Sequence, residues 1–129
     1  MIEVMQGLHL TADLHGCPTD RAPFTDPAAL RQLCLRAVHG CGLCAVGELF
    51  HRFDNGGGVT GVVLLAESHL AVHTWPELGA VTIDVYVCNF SGDNSARAEG
   101  LLANLLPAFE PATVERHRLQ RGAIEGTVA

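Results

Sequence analysis

The sequence contains no long hydrophobic run. No apolar stretch of its 129 residues approaches the roughly 20 residues that a transmembrane helix needs. The first residues, Met1-Ile2-Glu3-Val4, lack the basic region and the long apolar segment of a signal peptide. We therefore expect a cytoplasmic protein with no membrane partner.

Positive charge is also scarce. Eight Lys and Arg residues stand against 14 Asp and Glu, which gives a formal net charge of −6. The basic residues form no dense patch, which argues against a nucleic-acid partner. An acidic surface instead favours cationic small molecules. With 48% hydrophobic and 17% charged residues, the composition is typical of one globular domain, residues 1–129.

Cysteine is odd in number, with five residues: Cys17, Cys34, Cys41, Cys44 and Cys88. An odd count without a secretion signal predicts reduced thiols. Cys41-Gly42-Leu43-Cys44 has the spacing of redox and zinc sites. A zinc site would want a second close pair of ligands, and a redox motif would start a helix, whereas this segment follows one. We therefore predict structural thiols and no metal site.

Helix signals appear twice along the chain. Asp26-Pro27 predicts a helix start, with Asp26 as the N-cap and Pro27 at the first helical position, and Gly40 and Gly42 predict its end. Asp93-Asn94-Ser95 predicts the start of a second helix, and Pro107 and Pro111 are expected to bound its end.

Apolar patterns predict strands at residues 7–14, 43–53, 59–66, 70–74, 80–88 and 113–119, with a turn at residues 55–58 and a mobile tail at residues 121–129. Strands and helices do not alternate regularly along the chain. We therefore predict an α+β fold, a two-layer sandwich in which two helices cover one face of a mainly antiparallel sheet.

Glu67-Ser68-His69 interrupts residues that otherwise suit a buried strand. Such a local defect is expected where a site needs it. A serine hydroxyl is a weak nucleophile until a base or strain activates it. His69 would point to the opposite face of a strand, and His73 would need a bend to return. No Gly-x-Ser-x-Gly segment surrounds Ser68, so a hydrolase triad is not indicated, and taken alone Ser68 is typical of a strand end.

The surrounding segments resemble the small bacterial S-adenosylmethionine decarboxylases, from about residue 7 to about residue 121. The resemblance depends on four stretches: Phe50-His51-Arg52-Phe53, Gly58-Val59-Thr60-Gly61-Val62-Val63, Glu67-Ser68-His69-Leu70-Ala71-Val72-His73-Thr74-Trp75-Pro76-Glu77, and Asp84-Val85-Tyr86-Val87-Cys88. It implies a self-processing enzyme that decarboxylates S-adenosylmethionine and so supplies aminopropyl groups for spermidine synthesis.

The resemblance also implies how the cofactor arises. Ser68 Oγ would attack the carbonyl of Glu67, and elimination followed by hydrolysis would release ammonia. The chain would end as residues 1–67 and 68–129, the second beginning with a pyruvoyl group that forms a Schiff base with the substrate. His73 matches the family's processing base. Thr60 stands where the family usually has a serine whose hydroxyl assists cleavage, so we expect function to survive with slower processing.

Other site residues follow from the same resemblance. Cys88 matches the general acid that reprotonates the product, although by itself it is typical of a buried strand-end cysteine. Phe53 matches an aromatic residue that packs on adenine and faces the sulfonium, and Glu77 matches the acid that holds the ribose hydroxyls. Trp75 either lines the pocket or packs the turn. The family implies a homodimer of processed protomers with active sites near the subunit interface.

Two rival functions remain open at this point. A relative with the same fold could decarboxylate ornithine or arginine, although Phe53 and Glu77 suit adenosine better. A non-catalytic partner could keep the fold, although Ser68, His73 and Cys88 would then serve no purpose.

Overall fold

The computed structural model describes residues 2–54, 56–89 and 92–127. Its main elements are, in chain order, β1 (Ile2–His15), α1 (Pro27–Gly40), β2 (Ala45–Arg52), β3 (Val59–Leu65), β4 (Ser68–Trp75), β5 (Ala80–Cys88), α2 (Ser95–Phe109) and β6 (Thr113–Thr127). Two short 3-10 helices, Ala22–Phe24 and Pro76–Leu78, lie in the connections. The six strands form one sheet in the order β2-β3-β4-β5-β1-β6, and all neighbours are antiparallel.

The start of α1 is as predicted. The Asp26 carboxylate accepts a hydrogen bond from the Ala28 N–H at 3.0 Å, and Pro27 needs no partner because it has no N–H. Leu30, Cys34 and Val38 follow at helical spacing and are buried.

Both helices cover the same side of the sheet. Val81, Ile83, Val85 and Val87 of β5 alternate with half-buried residues and belong to the same core as the buried leucines of α2. The predicted α+β sandwich is therefore confirmed. We call the opposite side of the sheet the helix-free face, because no helix of the described residues lies against it. None of these helices is long and apolar enough to cross a membrane.

The predicted mobile tail is wrong through residue 127. β6 continues to Thr127 and pairs with β1 along its whole length, from Ile2↔Thr127 to His15↔Thr113. The backbone N–H and C=O groups of each strand bond to the other strand, and neither segment alone indicates this pairing. Val128 and Ala129 of the predicted tail, and Asn55 of the predicted turn, lie outside the described residues.

α2 ends between Pro107 and Pro111, as predicted. The helix continues to Phe109, and Glu110 closes it in a left-handed conformation. Phe109 is fully buried, with its ring edge-on to Phe24 at a centroid distance of 5.7 Å. Burying an aromatic side chain contributes about 1.5–3 kcal/mol, which offsets part of the cost of a proline near a helix end.

Two strand boundaries differ from the prediction in ways that matter for the site. β2 spans Ala45–Arg52, so Phe53 lies just beyond its end. β4 begins at Ser68, two residues before the predicted start, and runs on to Trp75. Ser68 and His69 are therefore part of the strand, whereas Glu67 lies in the turn before it.

Candidate active site

The connection between β3 and β4 is a two-residue hairpin loop, Ala66-Glu67, with Leu65 paired to Ser68. Glu67 has a φ of +57°. Among the described non-glycine residues, only Glu67 and Glu110 have a positive φ. A left-handed conformation costs a residue with a Cβ roughly 1–2 kcal/mol. The peptide bond before Ser68 is thus held next to a strained residue.

The Ser68 hydroxyl has a defined partner. Its Oγ accepts a hydrogen bond from the backbone N–H of Cys88 at 3.2 Å. The backbone pairing of β4 with β5 extends as far as His69↔Tyr86, and continuing that register would place Cys88 opposite Glu67. Because Glu67 is in the hairpin loop, the Cys88 N–H bonds the Ser68 side chain. We call Glu67, Ser68 and Cys88 the cleavage group.

A second set of predicted residues meets at the other end of β4. Thr60 and His73 are paired across β3 and β4, and Thr60 Oγ1 lies 3.0 Å from His73 Nδ1. Both side chains are half-buried and lie on the helix-free face, since their neighbours Val59 and Val72 are buried in the core. The threonine hydroxyl makes a contact that a serine there could also make.

A cavity of about 100 Å³ opens beside this pair. Its lining residues are Phe53, Gly58, Thr60, His73, Thr74, Trp75 and Glu77. Phe53 and Trp75 are 49% and 43% exposed, so their rings are available to a ligand. The His51 ring contacts Phe53 edge-on at 4.7 Å and restricts its orientation. We call Phe53, Thr60, His73, Trp75 and Glu77 the pocket group.

Thr74 also lines this cavity, and the sequence did not indicate it as a site residue. Among the residues whose burial the structure describes, it is the one buried polar side chain. Its hydroxyl accepts from the Val59 N–H and donates to the Phe24 carbonyl, both at 2.8 Å. A Cβ on Gly58 would lie 2.6 Å from the Thr74 carbonyl oxygen. A buried threonine within an apolar strand, and a glycine after a loop, were the available signals.

The structure does not bring the two groups together within one chain. β4 is continuous from Ser68 to Trp75, so no bend returns His73 to Ser68. Five residue steps along the strand separate them by roughly 17 Å, at about 3.3 Å per step. The odd separation also places the two side chains on opposite faces of the sheet. The eight predicted site residues therefore form two separate groups.

Comparisons with known proteins agree with this architecture. The sequence model described as S-adenosylmethionine decarboxylase matches residues 8–122. The chain belongs to the S-adenosylmethionine decarboxylase family. The S-adenosylmethionine decarboxylase proenzyme of Aquifex aeolicus is 37% identical over 119 residues, covering 92% of this chain and 83% of the relative. The crystal structure of the adenosylmethionine decarboxylase from that organism superposes with a TM-score of 0.83 at 32% identity, covering 98% of both chains.

The family is not confined to bacteria. The S-adenosylmethionine decarboxylase proenzyme of the archaeon Archaeoglobus fulgidus is 35% identical over 116 residues, covering 90% of this chain and 97% of the relative. The chain therefore resembles archaeal as well as bacterial members of the family, and the narrower assignment to the bacterial proteins is not supported.

One polar cluster of this decarboxylase-family chain was not predicted. On the helix-free face, Arg121 Nη1 donates to His9 Nδ1 at 3.2 Å, and His9 Nε2 lies 3.1 Å from an Asp84 oxygen. The Tyr86 ring stacks on His69 at 5.7 Å and meets the edge of His9 at 6.2 Å. Alternation with core residues indicates that several of these side chains lie on the face away from the core. Their contacts with one another depend on the register of four strands, which the sequence does not show.

Cys34 and Cys41 fit the interpretation as structural thiols. All five cysteines are free, and Cys41 caps the C-terminal end of α1, where its thiol donates to the Val38 carbonyl at 3.2 Å. Burial raises the pKa of Cys34 to about 12 and also raises the pKa of Cys41. A raised pKa keeps a thiol protonated and unreactive, which is the opposite of what a redox CxxC motif requires.

Proposed function

We propose that this chain is a self-processing S-adenosylmethionine decarboxylase whose pyruvoyl cofactor is made from Ser68. The observation that carries the proposal is the geometry of the cleavage group in a member of this family. Ser68 directly follows a strained residue, and its Oγ is held by the Cys88 N–H. The product supplies aminopropyl groups for spermidine synthesis.

Self-cleavage follows from the chemistry of these residues. Ser68 Oγ attacks the Glu67 carbonyl, its proton passes to the released nitrogen, and the amide becomes an ester. A base then removes the Cα proton of Ser68, and the Glu67 carboxylate leaves from Cβ, which gives a dehydroalanine. Its methylene carbon takes up a proton to form an imine, water adds to the imine, and ammonia departs. Strain at Glu67 favours the first step because the bond that breaks connects the left-handed residue to β4.

The residues around Ser68 suit a pyruvoyl group. It would stand at the start of β4, beside a backbone N–H that already contacts Ser68 Oγ. When present, such a group supplies the electron sink for loss of carbon dioxide from an amino acid. Cys88 belongs to the same contact and carries a protonatable thiol, so it is the residue that we assign as general acid for the product carbon.

The separation of the two groups supports a homodimer. His73, the proposed base, and Ser68, the proposed nucleophile, lie at opposite ends of β4 and cannot meet in one chain. In a symmetric dimer whose helix-free faces oppose each other, the two-fold axis would lie between the two sheets. If it lay over the middle of β4 and perpendicular to that strand, the His73 of one protomer would stand over the Ser68 of its partner. Leu49 and Leu64, 71% and 50% exposed, would be covered in this arrangement.

Thr60 would hold the base in place in this arrangement. Its Oγ1 lies 3.0 Å from His73 Nδ1 on the helix-free face, which is the face that the partner would approach.

A mixed-dimer experiment tests this arrangement. Neither Ser68→Ala nor His73→Ala should cleave when produced alone. When the two variants are produced together with tags of different mass, the His73→Ala chain should be cleaved by the partner's intact histidine, and the Ser68→Ala chain should stay whole. Mass spectrometry of the mixture reports which chain is cut. If the His73→Ala chain also stays whole in verified mixed dimers, the shared site is wrong.

The pocket group supports S-adenosylmethionine over a basic amino acid. Two half-exposed aromatic rings, Phe53 and Trp75, offer faces to an adenine ring and to a sulfonium cation. Glu77 lines the same cavity and can accept from ribose hydroxyls or face the positive charge. Ornithine and arginine have no aromatic ring that could stack on Phe53 or Trp75.

Substrate profiling tests the proposed activity. Carbon dioxide release should require S-adenosylmethionine and be negligible with ornithine or arginine. Phe53→Ala should weaken substrate binding by about 0.5–1.5 kcal/mol through lost ring contacts, which raises KM roughly 2- to 12-fold. Leu78→Ala is the matched control, because Leu78 is 70% exposed nearby without lining the cavity, and its KM should not change. A better rate with ornithine or arginine would reject this substrate.

A further inference from the structure

We infer that Asn94 is a positioning residue that holds Cys88, and through it the Ser68 hydroxyl, in the geometry for reaction. The inference rests on the proposed function. Asn94 Nδ2 donates to the Cys88 carbonyl at 2.9 Å, while the Cys88 N–H donates to Ser68 Oγ at 3.2 Å. Both backbone polar groups of Cys88 are thus bonded to side chains: its N–H to Ser68 and its carbonyl to Asn94.

The orientation of the Asn94 amide is determined by its two partners. Its Oδ1 accepts from Arg97 Nη1 at 2.9 Å, and its Nδ2 faces a carbonyl oxygen. Exchanging the two atoms would place oxygen against oxygen and nitrogen against nitrogen. Asn94 therefore donates to Cys88, and a side chain without that donor cannot replace it.

Asn94 also departs from what its place in the chain favours. It is the N-cap residue of α2, where asparagine commonly accepts a hydrogen bond from the helix backbone, yet its side chain makes no such bond. Asp93 Oδ1 accepts from the Ser95 N–H instead, at 2.9 Å. A favoured capping side chain turned toward the proposed active site indicates a role beyond helix stability.

The helix start is itself tied to the end of β5. The Asn94 N–H donates to Asn89 Oδ1 at 2.8 Å, and Asn89 Nδ2 donates to Ser95 Oγ at 3.2 Å. The Asn89 N–H bonds the Gln6 carbonyl of β1 at 2.7 Å. Cys88 is the last residue of its strand, where backbone order is weakest, and these bonds connect it to a helix that packs into the core.

Two variants separate positioning from helix capping. Asn94→Asp keeps the size of the side chain, the acceptor toward Arg97 and a charge that suits a helix N-terminus, so the melting temperature should hold. It removes the donor and places an acceptor against the Cys88 carbonyl. We expect kcat to fall about 10- to 100-fold with little change in KM, because small misplacements of reacting groups cause rate losses of this size. Inactivation per turnover should rise, because the product carbon is reprotonated less reliably.

Asp93→Ala is the matched control, because it removes a capping bond of the same helix without touching Cys88. It should lower the melting temperature and leave the kcat of the folded, cleaved enzyme unchanged. Asn94→Asp with a kcat within twofold of the natural chain, or with a loss that merely follows its melting temperature, would overturn the inference while the proposed function stands. A natural chain that neither cleaves nor decarboxylates S-adenosylmethionine would reject both.

Discussion

Ser68→Ala is expected to remain a single chain of 129 residues, whereas the natural chain should separate on a denaturing gel into residues 1–67 and 68–129. The methyl group of alanine cannot attack the Glu67 carbonyl, so neither the ester nor the pyruvoyl group forms. Folding should be little affected, because the hydroxyl is half-buried and the structure gives it one hydrogen bond, from the Cys88 N–H. Decarboxylase activity should be lost entirely.

Intact-mass measurement and Edman sequencing complete this test. The C-terminal fragment of the natural chain should be lighter than a simple hydrolysis product by one ammonia. It should also resist Edman degradation, because its terminal amine is gone. Ser68→Cys is the matched control, since a thiol retains a nucleophile at the same position and should allow some cleavage. A natural chain that is active and yet uncut would exclude the pyruvoyl mechanism.

Local signals predicted the elements that depend on neighbouring residues. The Asp26-Pro27 start of α1 is confirmed because its cap bond is made two residues away, within the same turn. The alternation of β5 is confirmed because one face of that strand is covered by a helix. Such features are encoded in a short segment and need no knowledge of distant parts of the chain.

The errors arose where tertiary contacts overrode local preference. The predicted tail contains Gly122 and Gly126, which weaken a strand, yet its pairing with β1 supplies partners for its backbone. The two prolines placed the end of α2 between residues 107 and 111, but the contact that accompanies its end at Phe109 is with the ring of Phe24. In both cases the decisive partner is distant in sequence.

The candidate site shows the same division. The residue types and their order pointed to the cleavage group and to the pocket group. Sequence alone also indicated that His73 could return to Ser68 only through a bend, and β4 contains none. What sequence could not give is the register that brings the Cys88 N–H to Ser68, or the turn of the Asn94 side chain toward Cys88.

Cys88→Ala is expected to cleave but to lose most of its turnover. The structure supplies the reason, because Ser68 is contacted by the backbone N–H of Cys88 and not through its thiol. Alanine keeps that N–H, so the Ser68 hydroxyl should remain held for attack on Glu67. The thiol is required only afterwards, when the product carbon must receive a proton. Loss of a positioned general acid should reduce kcat roughly 10²- to 10⁴-fold.

The decisive comparison is the fraction of chain cleaved against kcat in one preparation. A thiol-alkylating reagent should reproduce the loss, and substrate should protect against it. Cys44→Ala is the matched control and the right background for labelling, because Cys44 is exposed and would otherwise react first. Its cleavage and turnover should equal those of the natural chain. A cleaved Cys88→Ala enzyme with full turnover would show that Cys88 is a buried strand-end residue and that another group delivers the proton.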